Sequence, residues 1–304
     1  MNVKMTTAIA ALMLGLTSTA MSADDGKEIK IPSGVDPFRL KLLKKAEKLK
    51  VYVNMVGIGD ASDAKLLFPR GKSDAVGTHQ QMNARFESAV KATERFDAFS
   101  DTSGGVRDQS DLVVEGMIVA ATQNIEDYEA IKKAVTTVRL DIKIRDTSTG
   151  RILKARTLTG VYGDQTGEGT VIRNDADLKT KANELVNDFE KTLQEALTIG
   201  AGYLERSIRP LGVVDEVEGD VLTLLGGGNH GIRPNDRMVI FRAKTKRVGE
   251  VDTFGIMRAV GIVECGTVNS DNSQCDVKQK GKDWPPLKDD FAILGDNSLK
   301  LKVE

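Results

Sequence analysis

Cysteine and histidine are almost missing from this chain. Its 304 residues include two of each, Cys265 and Cys275, His79 and His230, too few and too scattered for the clustered thiols and imidazoles of a metal site. His79 falls at the expected start of a helix and His230 in a glycine-rich turn, and neither has a partner at ligand or triad spacing. Serines occur without a Gly-x-Ser-x-Gly elbow. The run Gly226-Gly227-Gly228-Asn229-His230-Gly231 lacks the Gly-Lys-Ser/Thr ending of a phosphate cradle and lies between two strand-like stretches, so it reads as a turn. Acidic residues are plentiful but sit mostly on polar faces, and spacing alone picks out no carboxylate pair. The expectation is a protein that is not an enzyme, with no catalytic, cofactor-binding or metal-ligating residue assigned.

An excess of one charge is missing too. There are 43 Lys and Arg against 44 Asp and Glu, a formal net charge of −1, which argues against a nucleic-acid binder with its basic surplus. Beyond the N-terminus no apolar run approaches the roughly 18 residues of a spanning helix, so the mature chain is not expected to cross a membrane. The cysteines lie close together near the C-terminus. In an oxidising compartment a Cys265–Cys275 disulfide closing that short loop is the natural reading, with two buried free thiols as the alternative.

What the chain does have begins with a leader. Residues 1–23 carry one early lysine (Lys4), an apolar stretch from Ala8 to Leu16 and the small-residue end Ala20-Met21-Ser22-Ala23, ahead of Asp24-Asp25. That is the layout of a secretory signal peptide. No cysteine stands at the cut site, so no lipid anchor is expected, and the mature protein is read as soluble in a bacterial periplasm. Its roughly 280 residues suggest two domains.

The first, residues 24–206, reads as a helix-flanked mixed sheet. A helix is expected from Asp36 or Pro37 through residue 50, a strand over 51–56, a polar loop over roughly 57–74 and a helix over 75–92. Strands follow over 96–99 and 111–120. Residues 137–153 then alternate: Val138, Leu140, Ile142 and Ile144 on one parity, Arg139, Asp141, Lys143 and Arg145 on the other, the period of a strand with one buried and one wet face. Asp146-Thr147-Ser148-Thr149-Gly150 supplies turn formers ending on a glycine suited to positive φ. A long amphipathic helix is expected over 177–205. The second domain, 207–304, shows six strand-like stretches (212–217, 220–225, 237–243, 256–268, 274–278 and 291–294) with no intervening helix, which points to a small β-barrel. Trp284-Pro285-Pro286 reads as a stiff turn with the Trp packed on the barrel. The fold class expected is therefore α+β or α/β, with a small all-β barrel appended.

Short motifs carry a resemblance. Leu112-Val113-Val114-Glu115-Gly116-Met117-Ile118, followed by Ile142 to Leu153 with its Ser148-Thr149-Gly150-Arg151-Ile152-Leu153 ending, resembles the curli production assembly/transport component family. The same layout is similar to the lipoprotein activators of penicillin-binding proteins and to the N-terminal domain of the Tol translocation propeller protein. Further on, Arg209-Pro210-Leu211-Gly212-Val213-Val214 and Gly231 to Phe241 are similar to the C-terminal β-domain of flagellar assembly protein T. Asn235 stands there where that family has a second glycine, and Asn tolerates the left-handed conformation such a turn needs.

The curli resemblance implies a secretion pore only if each subunit can extrude two membrane-crossing hairpins, from residues 122–137 and 157–175. A crossing strand needs about 9–11 residues with an apolar lipid face and aromatic girdles. The first segment is charged (Asn124, Glu126, Asp127, Glu129, Lys132, Lys133) and the second glycine-rich and polar, so a pore is disfavoured. The resemblances instead imply a periplasmic scaffold of a cell-envelope machine, flagellar or otherwise, offering a rigid face and a sheet edge to envelope protein partners. A regulator that activates a cell-wall enzyme is the alternative. Self-association stays open, and the exposed parity of the hairpin, Arg139, Asp141, Lys143 and Arg145, is the candidate interaction surface.

Overall fold

A computed structural model describes residues 48–56, 63–67, 79–128, 131–163, 168–242, 245–248, 251–254 and 258–295. The expected leader and most of the helix expected before residue 50 lie outside these. Ile31–Glu304 falls into one compact unit; the other unit, Met1–Lys30, is not among the described residues.

Strand β1 (Leu49–Val56) is followed by the short β2 (Asp63–Lys65), helix α1 (His79–Lys91) and β3 (Phe96–Phe99). The chain returns through α1 because β3 lies parallel to β1, and parallel neighbours need a crossover longer than a hairpin. Next come β4 (Leu112–Tyr128), β5 (Ile131–Asp146), β6 (Ile152–Tyr162) and the helices α2 (Asp175–Thr180) and α3 (Ala182–Ser207). The sheet runs β3-β1-β4-β5-β6, with β2 added to β4. It is parallel from β3 to β4 and antiparallel from β4 to β6.

The alternation read in the sequence is the alternation observed. Val138, Leu140, Ile142 and Ile144 are fully buried, while Arg139 and Lys143 are exposed on the other face. The buried parity meets Met82, Phe86 and Val90 of α1 and Leu185, Phe189, Leu193, Ala196, Leu197 and Leu204 of α3 in a single core. Both helices therefore cover the same side, and the described sheet has one helix-free face. The β5–β6 turn closes as expected: Gly150 takes φ 68°, and the Asp146 carboxylate accepts from the Ser148 N–H and hydroxyl and from the Thr149 hydroxyl.

After α3 ends at Ser207, β7 (Leu211–Glu218), β8 (Val221–Leu225), β9 (Arg237–Arg242), β10 (Thr245–Val248), β11 (Val251–Phe254), β12 (Arg258–Val268), β13 (Asn272–Lys280) and β14 (Phe291–Leu294) follow. Six of them close a barrel in the order β12-β13-β8-β7-β14-β9, and β10 with β11 forms a separate two-stranded ribbon. Val214, Leu222, Leu224, Met238, Ile240, Val260 and Val263 fill the barrel. Cys265 and Cys275 face each other across β12 and β13, buried and disulfide-bonded. Trp284 packs against this core, and Asn235 takes φ 68° in the turn before β9. The protein is thus a mixed α+β fold with a small closed barrel.

Several element boundaries differ from the expectation. Leu49 and Lys50 belong to β1, where they pair with Phe96 and Asp97, not to a preceding helix. The expected loop over 57–74 contains β2, paired with Ala120–Thr122 of β4. The strand expected to stop at residue 120 runs on to Tyr128, because its charges find opposite charges across the hairpin: Glu126 faces Lys133 and Asp127 faces Lys132. The helix expected over 177–205 is two, broken at Lys181, with Asn174 capping the first through its side-chain oxygen to the Ala176 and Asp177 N–H groups. The β10–β11 ribbon was not anticipated.

Candidate interaction surface

On the helix-free face the strand registers line up into rows. Tyr52, Val113, Arg145 and Ile152 form one; Asn54, Glu115, Lys143 and Ala155 the next; Val56, Met117, Asp141 and Thr157 a third. The first row is closed off. Tyr52 and Val113 are buried, the Phe99 ring stands edge-on to Tyr52 with centroids 6.0 Å apart, and the Tyr52 hydroxyl donates to Asp101. Burial first, then the Asp101 carboxylate, pushes that hydroxyl's pKa up to about 12. In the second row Glu115 receives Arg107 at 3.4 Å and Arg145 at 3.3 Å. The third row is open, with Val56 and Met117 46% and 48% exposed beside Asp141, whose carboxylate accepts from Thr157.

The four residues singled out by sequence therefore share one face but not one state. Arg145 is tied to Glu115 and to the Gly150 carbonyl, and Asp141 to Thr157. Arg139 and Lys143 are exposed, and no ion pair joins them to a described residue. Together with Val56 and Met117 they make a mixed apolar and cationic patch on the described sheet.

A second cluster, which no local sequence pattern marks, joins the sheet to the barrel. Arg95, just before β3, is buried and forks onto Asp236 in the turn before β9, with N–H groups 2.7 and 2.9 Å from the carboxylate oxygens. It also donates to the Gly231 carbonyl at 2.6 Å and to Glu205 of α3. Arg233 reaches back to Glu205 at 3.1 Å and to the Thr93 carbonyl at 2.7 Å. Burial alone would lower the Arg95 pKa; the bonds to Asp236 and Glu205 outweigh it and raise it, so the guanidinium stays charged. The cleft beside it, lined by Leu49, Phe96, Ile208, Pro210 and Gly231, has about 20 Å³, room for a water but not for a ligand.

Both histidines make hydrogen bonds within the described structure. The His79 Nδ1 lies 2.7 Å from the Met55 carbonyl and 3.1 Å from the Asn83 amide. The His230 Nδ1 accepts from the Gly227 N–H at 3.2 Å within the glycine-rich turn, where residues 228–230 make a single 3-10 turn. Among the described residues no three His, Cys, Asp or Glu side chains gather as metal ligands, and no helix is long and apolar enough to cross a membrane.

The fold and its surfaces define the class: a helix-backed mixed sheet locked to a closed barrel. No family model matches the chain, and no curated protein matches it. Among solved structures, a protein of family DUF330 from Xanthomonas campestris is 13% identical, aligned over 53% of this chain and 85% of its own at a TM-score of 0.34. A hypothetical protein from Chlamydia trachomatis is 8% identical over 52% and 98%, at 0.31. PelC from Paraburkholderia phytofirmans, solved as a dodecamer, is 14% identical over 49% and 90%, at 0.25. Likeness at this level says nothing about function.

Proposed function

We propose that this chain is a non-enzymatic scaffold of a bacterial cell-envelope machine, exported to the periplasm and working by presenting shaped surfaces to protein partners. One observation carries the reading: among the described residues the helix-free face of the sheet keeps one row open, with Val56 and Met117 exposed near Arg139 and Lys143, while the opposite face is filled by α1 and α3. A barrel fixed to the same body through Arg95 offers a second contact at a set distance. The Cys265–Cys275 bond favours an oxidising compartment, in keeping with the leader-like residues 1–23. The resemblance of 112–153 to curli assembly components, and of 209–241 to the C-terminal domain of flagellar assembly protein T, favours assembly work over regulation.

The test is a crosslinking pull-down of the full-length protein from its native periplasm. Recovery of a discrete envelope protein supports the scaffold, and co-fractionation with flagellar basal bodies makes it flagellar. Co-fractionation with murein synthases, with synthase rates rising on addition of the purified chain, would replace it by the activator reading. A hydrolase turnover abolished by replacing one carboxylate would overturn both.

A further inference from the structure

The sheet ends at β6, and that edge is unlike the other. Strand β3 at the opposite end has four residues. Strand β6 has eleven, most of them exposed, and among the described strands it pairs only with β5. Eleven residues of strand present a long row of backbone N–H and C=O groups on the side away from β5, a ready template for another strand.

Its side chains are one-sided in charge. Registers with β5 put Lys154 opposite Ile144 and Arg156 opposite Ile142, on the helix-covered side, and Ala155, Thr157 and Thr159 opposite Lys143, Asp141 and Arg139, on the open side. Arg151, Lys154 and Arg156 are exposed. Arg156 lies over the Tyr203 ring with 5.9 Å to the centroid, and no carboxylate among the described residues pairs with any of the three. One strand inward, Arg139 and Lys143 add two more unpaired cations, against which Asp141 is the nearby acid. Cations on an edge guard a monomer against pairing with a neutral strand or with its own copy. They also select: directly opposed residues of unlike charge stabilise a strand pair, and like charges weaken it.

We propose that the β6 edge is a docking site for an extended, acidic segment of a partner protein, added as a further strand with its carboxylates on the helix side against Lys154 and Arg156 and small or β-branched residues against Ala155, Thr157 and Thr159. This rests on the scaffold reading and names the chemistry of one of its partners. Backbone bonds to β6 hold the segment; the basic pair sets which segments are accepted.

The test uses the full chain and an alternating Glu-Thr peptide matched to β6 in length. Binding is followed by fluorescence anisotropy and located by amide hydrogen exchange. The expected result is saturable binding that protects residues 152–162 and falls about tenfold in the K154E/R156E variant. The alternating Lys-Thr peptide should not bind. The same Glu-Thr peptide with alternate backbone nitrogens methylated keeps every charge but loses its strand donors, and it should not bind either. Equal binding of the methylated peptide would overturn the proposal, because it would reduce the site to a patch of charge. Protection of 152–162 that grows with protein concentration in the absence of peptide would also overturn it, by making a second copy the occupant. If the peptide fails while the pull-down still recovers an envelope protein, the edge assignment falls and the scaffold reading stands.

Discussion

Gly160 lies where strand β6 passes under helix α3, and a Cβ there would sit 2.7 Å from the Thr192 carbonyl oxygen and 3.0 Å from the Ala196 nitrogen. Both are backbone atoms of a buried helix and cannot swing aside. Gly160→Ala should destabilise the protein by about 1–3 kcal/mol, while Gly266→Ala, with nothing within 4 Å, should change it by less than about 0.5 kcal/mol; urea denaturation of the two variants gives the comparison. Ile142 is fully buried against the helices, so Ile142→Asp would place a carboxylate without a partner in the core and should abolish the cooperative unfolding transition. Tyr52 gives a pH signature. Its folded pKa of about 12 exceeds the ordinary 10.0, so its contribution is complete below pH 10 and is lost as pH rises toward 12. The free energy of unfolding should therefore fall less between pH 10 and pH 12 in Tyr52→Phe than in the parent, and equal falls would contradict the raised Tyr52 pKa.

At the scale of elements, the Cys265–Cys275 bond ties β12 to β13 across ten residues of sequence. Cys265→Ser should cost about 2–4 kcal/mol, seen as a lower melting temperature under oxidising conditions and no difference from the parent under reducing ones. Equal losses in both would mean that packing of the sulfurs, not the bond, matters. Elements were legible in the sequence where one period ran unbroken. Val138 to Arg145 alternates through the second half of β5, and Leu185, Phe189, Leu193, Ala196 and Leu197 keep a helical stripe. The far half of β4 was not legible, because Asn124, Glu126 and Asp127 are loop-like residues whose place in a strand depends on Lys132 and Lys133 across the hairpin. The break at Lys181 carries no glycine or proline to announce it. Of the candidate surface, the shared face of Arg139, Asp141, Lys143 and Arg145 was legible from parity alone; that Arg145 and Asp141 are engaged was not, since their partners Glu115 and Thr157 lie on neighbouring strands.

At the scale of the whole molecule, the cluster that joins sheet to barrel centres on a charge pair 141 residues apart in sequence, a contact that no local pattern encodes. Arg95→Met would leave Asp236 buried without its cation and should cost about 3–5 kcal/mol. Scanning calorimetry should then resolve separate transitions for sheet and barrel where the parent shows one. Arg95→Met combined with Asp236→Leu should recover most of the loss, since the stranded charge is gone. The scaffold proposal rests on three features together: the open row of the sheet, the basic β6 edge and a barrel joined to the sheet through Arg95 and Arg233. Its most direct test is site-specific photo-crosslinking in living cells, with the reactive side chain placed at Lys143 on the open face and at Thr157 on β6. A discrete adduct with an envelope protein is expected from one or both positions. No adduct from either position, under conditions where the protein is folded and exported, would contradict it.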